Sequence, residues 1–304
     1  MAVERPGVCR ARGHLQQRRT RCRADPEGSA LSGGVLVLDE PFRSLWAGQD
    51  PFVAVEALAG EVFRELEGRR TLRTEIAGRG YFVKIHRGVG WGEIVKNLLS
   101  LRLPVLGAAN EWRAIRRLSE LGVDSMHAVA FGVRGRNPGR QHSFIITEEL
   151  APTLSLEDFC CAWASHPPGV RLKRALIGRV AGMAGKMHRG GVNHRDFYLC
   201  HFLLHLDPAP TDDRFRLSLI DLHRAQLRRQ LPRRWRDKDL AALYFSALDI
   251  GLTRRDLLRF LGAYFACPLR QVLRDEAPLL AHLERETPRL QARFERKVAA
   301  GEMT

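Results

Sequence analysis

The sequence lacks the features that most quickly place a chain in a class. No apolar run approaches the roughly 18 residues needed to cross a bilayer, and the N-terminus has no apolar stretch of the signal-peptide kind, so the chain is expected to stay in the cytoplasm. The six cysteines, Cys9, Cys22, Cys160, Cys161, Cys200 and Cys267, contain no Cys-x-x-Cys pair and are too sparse for a disulfide framework. They read as reduced thiols. Acidic residues are also short: 34 face 49 basic ones, which leaves a net charge of +15 and a pI near 10.4. The excess is largely arginine spread along the chain, and no RNA- or DNA-binding motif accompanies it. Such a field favours a polyanionic partner, whether nucleic acid, an anionic leaflet, a phosphorylated glycolipid or an acidic protein.

What is present is ordinary for a soluble enzyme: 304 residues, 45% apolar and 27% charged, enough for one large or two modest domains. Residues 1–34 carry seven arginines against three acids, with almost no apolar periodicity. They read as a disordered tail, as upstream sequence from too early a start codon, or as a nucleic-acid-binding arm. From Val35 the pattern turns β-like, with short runs at Phe52–Glu56, Val62–Leu66, Thr71–Ile76 and Tyr81–His86 that predict an antiparallel meander. Asn110–Leu118 is helical, and Phe144–Leu150 is a β run ending in polar residues. Ser155–Asp158 opens a capped helix, Leu172, Leu176, Val180, Met183 and Met187 mark an amphipathic one over 171–188, and residues 239–300 read as further helices. Thr253–Asp256 has the form of a capping box.

Everything turns on residues 190–221. Gly190-Gly191 end a helix and deliver the chain into His194-Arg195-Asp196, a short turn before an apolar strand; a second strand ends in Asp221. Two carboxylates on a hairpin is the arrangement of protein kinases, where one Asp orients and deprotonates the acceptor hydroxyl and the other holds Mg²⁺ against the nucleotide phosphates. Such a site also needs a strand lysine, a helix glutamate and a hinge. Lys84 is either an outward-facing strand residue or that lysine, and Glu111, at the start of the next helix, is the acid placed to reach it. The turn Leu66–Thr71 has one glycine and no G-x-G-x-x-G, so if it covers nucleotide, Arg69 or Arg70 supplies the charge that backbone amides supply elsewhere. The stretch from Glu148 to Leu150, before Ala151-Pro152, suits an interlobe hinge whose backbone meets an adenine edge.

Three positions stay open. His201 stands five residues after Asp196, where kinases place a metal-ligating Asn. Because Mg²⁺ prefers oxygen, His201 ligates weakly, contacts phosphate or is merely packed. Asp239 either anchors the catalytic turn from below or is an ordinary acid at a helix N-terminus. Arg224–Lys238, with seven basic residues and one acid, is either a solvated loop or an anion-binding platform for the acceptor.

Several strings together resemble the bacterial lipopolysaccharide core heptose(I) kinase family: residues 194–205, 219–226, 232–240, 96–102 and 144–150. The similarity runs from about Val35 to the C-terminal helices, leaving residues 1–34 outside it. The resemblance implies an α+β, two-lobed protein-kinase-like fold with a β-rich N-lobe over 35–150 and a mostly helical C-lobe over 151–304. It also implies ATP and Mg²⁺ as cofactors and transfer of the γ-phosphate to the 4-hydroxyl of the first inner-core heptose. The implied partners are a lipid A-linked inner-core glycolipid, the anionic cytoplasmic leaflet of the inner membrane and, for some members, acyl carrier protein; nucleic acid is not among them. In the implied roles Asp196 is catalytic, Lys84, Glu111, Arg69, Arg70, Glu148 and Leu150 bind nucleotide, and Asp221 with His201 binds metal. His194 and Arg195 support the turn. Competing expectations are a kinase-like enzyme for Kdo, an aminoglycoside or a protein, and a non-catalytic basic binding protein on a kinase scaffold.

Overall fold

The structure, a computed structural model, describes residues 29–31, 34–66, 68–88, 107–135, 137 and 139–299. The tail expected before residue 29, the motif at 96–102, Cys9 and Cys22 lie outside them. Ser29–Leu31 (β1) pairs antiparallel with Gly34–Leu38 (β2), so paired backbone extends to the N-terminal side of the boundary expected at residue 35.

Two short helices follow, Phe42–Leu45 (α1) and Pro51–Glu56 (α2). The second overturns the strand expected at Phe52–Glu56. Asp50 accepts a hydrogen bond from the Phe52 amide and Pro51 sits in the first turn, a start signal that outweighs a brief alternation of apolar residues. Phe52 and Val55, three residues apart, then share one buried face. Glu61–Leu66 (β3), Arg69–Ile76 (β4) and Arg79–His86 (β5) form the expected meander. With Ala128–Arg134 (β6) and His142–Glu148 (β7) they complete a seven-stranded antiparallel sheet of order β1-β2-β6-β7-β5-β4-β3.

One face of that sheet is closed by apolar packing. Leu72, Tyr81, Val83, Ile85, Phe144 and Ile146 meet Phe42, Trp46, Phe52 and Val55 of the two helices. Burying this face fixes the strand register, because a slip of one residue would turn every apolar side chain outward. The pleat therefore sends Lys84 to the opposite face, toward helix Ala109–Glu120 (α3).

Beyond the sheet, Thr153–Ser155 (β8) leads into Leu156–Cys160 (α4), capped by Ser155, and then Val170–Arg189 (α5). Val192–Asn193 (β9), Phe202–His205 (β10), Leu217–Leu219 (β11) and Gln226–Leu227 (β12) build two small antiparallel sheets. Arg233–Ser246 (α6), Arg254–Phe265 (α7), Leu269–Asp275 (α8) and Ala277–Ala299 (α9) finish a mostly helical lobe. Leu176, Val180, Met183 and Met187 of α5 pack into a second core with Phe197, Phe202, Leu219 and Leu240. The capping box forms reciprocally between Thr253 and Asp256. A β-rich lobe joined to a helical lobe is the two-lobed α+β architecture expected.

Candidate active site

The β5 lysine meets the α3 glutamate. Lys84 Nζ lies 2.7 Å from Glu111 Oε1 and 3.8 Å from Asp221 Oδ1. Glu111 is 1% exposed, and its second carboxylate oxygen is buried without a partner. A buried ion pair of this kind contributes little net stability, because desolvation offsets most of the attraction; it fixes where the ammonium sits. Asn110, next to Glu111, donates to the carbonyls of His223 at 3.0 Å and Ala225 at 2.6 Å, tying α3 to the segment that follows Asp221.

Asp221 leaves β11 in a left-handed conformation, φ 61°, which a non-glycine residue adopts only where its surroundings hold it. His223 Nδ1 is hydrogen-bonded to Asp221 Oδ1 at 2.5 Å. Burial works against ionisation of Asp221, yet the His223 hydrogen bond and the charges of His223, Lys84 and His201 hold its carboxyl well below the usual carboxylate range. His201 Nδ1 contacts the Asp196 carbonyl at 2.6 Å; a carbonyl only accepts, so this nitrogen carries the proton. His201 Nε2, left with its lone pair when the ring is neutral, faces Asp221 Oδ2 at 3.6 Å.

The turn over residues 194–196 is hung on α6. Asp239, 2% exposed, accepts hydrogen bonds from the amides of His194 at 2.6 Å and Arg195 at 2.9 Å. Its Oδ2 is also 3.2 Å from His188 Nε2, and His188 Nδ1 is 2.7 Å from the Tyr264 hydroxyl. Of the two readings open for Asp239, the structure therefore shows the anchor. His194 Nε2 donates to the Ile220 carbonyl at 2.8 Å, linking the turn to the residue before Asp221. Arg195 has φ 75°, a second held left-handed residue. Asp196 Oδ1 accepts from Arg224 Nη1 at 2.6 Å, and its Oδ2 is buried without a partner.

Strand alternation separates the two candidate arginines. Arg69 and Thr71 stand on the Lys84 side of β4, and buried Arg69 Nε has no partner. Burial and the charge of Arg64 lower the Arg69 guanidinium pKa, while Glu111 and Asp221 oppose that, which puts Arg69 in the field of the site carboxylates. Arg70 points to the other face and donates to the Glu56 carbonyl at 3.2 Å, so it does not reach the site. In the segment expected as the hinge, the Glu148 amide donates to His127 O at 2.9 Å and Leu150 O accepts from Thr153 Oγ1 at 2.6 Å. The Glu148 N–H is thus committed within the protein. Between them Glu149 forms a two-point pair with Arg73.

The sequence gives no site role to His86, Asn110 or His223, and it names Arg224 only as the first residue of the basic segment Arg224–Lys238, not as a partner of Asp196. His86 shares the face of Lys84, and burial together with the charges of Arg69, Lys84 and His223 pushes its imidazole down to about 4. The signal for His223 and Arg224 was their position directly after Asp221 in Asp-Leu-His-Arg.

Three of these side chains keep an orphaned buried polar atom: Arg69 Nε, Glu111 Oε2 and Asp196 Oδ2. A ligand with both anionic oxygens and a donor hydroxyl would satisfy them. No three metal-ligating side chains converge among the described residues. Asp221 offers one carboxylate beside Lys84, and Mg²⁺ is usually held by one or two carboxylates together with phosphates and water. A separate apolar cavity of about 340 Å³ lies in the helical lobe, lined by Leu243, Leu257, Leu261, Leu280 and Leu283 among others.

Residues 53–264 match the model of the lipopolysaccharide kinase (Kdo/WaaP) family. The lipopolysaccharide core heptose(I) kinase WaaP of Pseudomonas aeruginosa is 68% identical over 268 residues, covering 88% of this chain and 99% of that protein. The corresponding Escherichia coli kinase is 58% identical over 263 residues, 86% of this chain and 99% of that protein. A solved structure, WaaP in complex with acyl carrier protein, superposes with a TM-score of 0.76 at 64% identity, covering 84% of this chain and 98% of that one.

Proposed function

From the premise that the chain belongs to the lipopolysaccharide kinase (Kdo/WaaP) family, we infer that it is an ATP-dependent phosphotransferase acting on a heptose hydroxyl of the lipopolysaccharide core. The observation that carries this reading is the convergence of Lys84, Glu111 and Asp221 within 4 Å contacts, beside an Asp196 whose turn is bonded to the same hairpin. Four separated stretches of sequence supply those groups, which is what phosphoryl transfer by positioning and electrostatics requires.

In this reading Lys84, held by Glu111, and Arg69 supply charge to the nucleotide phosphates. Asp196 orients the acceptor hydroxyl and takes its proton at Oδ2, the oxygen without a partner, while Arg224 fixes Oδ1. Asp221 would hold Mg²⁺, with His201 Nε2 3.6 Å from its Oδ2. A metal held there would supply positive charge to offset that of the nucleotide phosphates. The acceptor oxygen is the 4-hydroxyl of the first inner-core heptose, and Glu148 and Leu150 line the adenine side through backbone groups.

The partners follow from charge. No helix among the described residues is long and apolar enough to cross a membrane, and a net charge of +15 suits a peripheral seat on the anionic cytoplasmic leaflet beside a lipid A-linked glycolipid. The acidic acyl carrier protein is a second partner, supported by the relative solved with it and by the apolar cavity, whose lining suits an acyl chain. Labelled ATP offered with heptose-containing lipopolysaccharide lacking core phosphate tests the activity. Transfer to that glycolipid but not to Kdo, an aminoglycoside or a protein is the expected result. Transfer to one of the others instead, or to none, would sink it.

A further inference from the structure

We propose that Arg228, Arg234 and Lys238, gathered around Trp235, form a binding site for a carboxylate or phosphate carried by the acceptor glycolipid away from the reacting hydroxyl. The proposal rests on the phosphotransferase reading above and assigns part of its acceptor subsite.

Three cations converge on one indole. Arg228 Cζ, Arg234 Cζ and Lys238 Nζ lie 5.4, 5.3 and 4.9 Å from the Trp235 ring centroid. One ring attracts a cation within about 6 Å, yet three like charges over it repel one another. Among the described residues none of the three forms an ion pair, nor do neighbouring Arg229 and Arg233. The nearby acids are already engaged, since Asp237 and Glu276 both pair with Arg236. Burial, and after it the charge of Arg234, lower the Arg228 guanidinium pKa. Trp235 Nε1 is buried with no hydrogen-bond partner, a donor in the midst of this positive field with no acceptor. An anionic oxygen group supplies both the missing acceptor and the missing counter-charge.

Position joins the cluster to the chemistry. Trp235 and Asp239 are four residues apart on α6, so the turn that bears the cations stands one helical turn from the anchor of the catalytic turn. Arg228 donates to Asn193 Oδ1 at 2.7 Å, three residues before Asp196, and its charge is felt by Arg195.

Arg234 and Lys238 are exposed, so Arg234→Gln/Lys238→Gln should fold as wild type. Steady-state transfer from ATP is measured with full core glycolipid and with glycolipid whose carboxylates are reduced and phosphates removed, and binding to anionic vesicles lacking the acceptor is measured by cosedimentation. The expected result is an acceptor KM raised about 10- to 100-fold in the variant, with the KM for ATP and kcat within about twofold, and no further loss on the neutralised acceptor. An unchanged acceptor KM in an active enzyme would overturn the proposal alone. A loss that follows vesicle binding would assign the cluster to lipid headgroups and overturn it as well. Absence of transfer by wild type would remove the functional reading and this site with it.

Discussion

Arg224 Nη1 donates to Asp196 Oδ1 at 2.6 Å, which joins the turn after Asp221 to the turn that carries Asp196. The bond reaches across 28 residues of sequence and leaves Oδ2 as the oxygen without a partner, the one proposed to meet the acceptor hydroxyl. Arg224 is 41% exposed, so the pair stabilises the fold by no more than about 1 kcal/mol. Its weight should fall on catalysis. Arg224→Ala is expected to lower kcat about 10²- to 10³-fold with the KM for ATP unchanged, and Arg224→Lys to recover part of the loss. Steady-state kinetics beside a thermal melt separate this from a structural defect, which would lower the melting temperature instead.

Lys84 and Glu111 should respond unequally to being cut apart. Lys84→Met leaves the Glu111 carboxylate buried with neither oxygen paired, at a cost of about 3 kcal/mol. Lys84→Met/Glu111→Leu removes both charges and is expected to regain most of that stability while transferring no phosphate. Urea titration of wild type, single and double variants reads the difference. A double variant no more stable than the single one would mean that the pair is not what fixes the α3 face.

His86 gives the site a defined pH response. Its folded pKa of about 4 lies below the 6.5 of an ordinary imidazole. Between those values the unfolded chain binds the extra proton, so stability is full above about 6.5 and falls as pH drops toward about 4, by at most about 3 kcal/mol from this residue. His194, whose imidazole is lowered by burial, acts in the same direction. His86→Gln should flatten the melting temperature between pH 6.5 and 4, measured by calorimetry, while leaving it at pH 7.5 little changed.

The chemistry was easier to read in the sequence than the shape around it. Lys84, Glu111, Asp196 and Asp221 stood out because residue type and spacing carry their meaning locally, and the structure brings Lys84, Glu111 and Asp221 together. The pairing of Arg224 with Asp196 did not stand out, since it depends on the left-handed backbone at Asp221 that turns the chain back on itself. The choice between Arg69 and Arg70 depended on which sheet face was buried, a matter decided by Phe42 and Trp46 far upstream. The helix at Pro51–Glu56 was misread because its apolar residues alternate, although Asp50-Pro51 held the start signal. Strand Ala128–Arg134 went unnoticed for the opposite reason: buried on both faces along most of its length, it shows no alternation at all.

The most direct test replaces one atom group at the centre of the site. Asp196→Asn keeps the shape of the side chain and removes its ability to take a proton. Labelled phosphate transferred from ATP to heptose-bearing core glycolipid should fall at least about 10²-fold, with the melting temperature and ATP binding as in wild type. Transfer by Asp196→Asn at the wild-type rate would contradict the assignment of this carboxylate, and with it the catalytic site built around it.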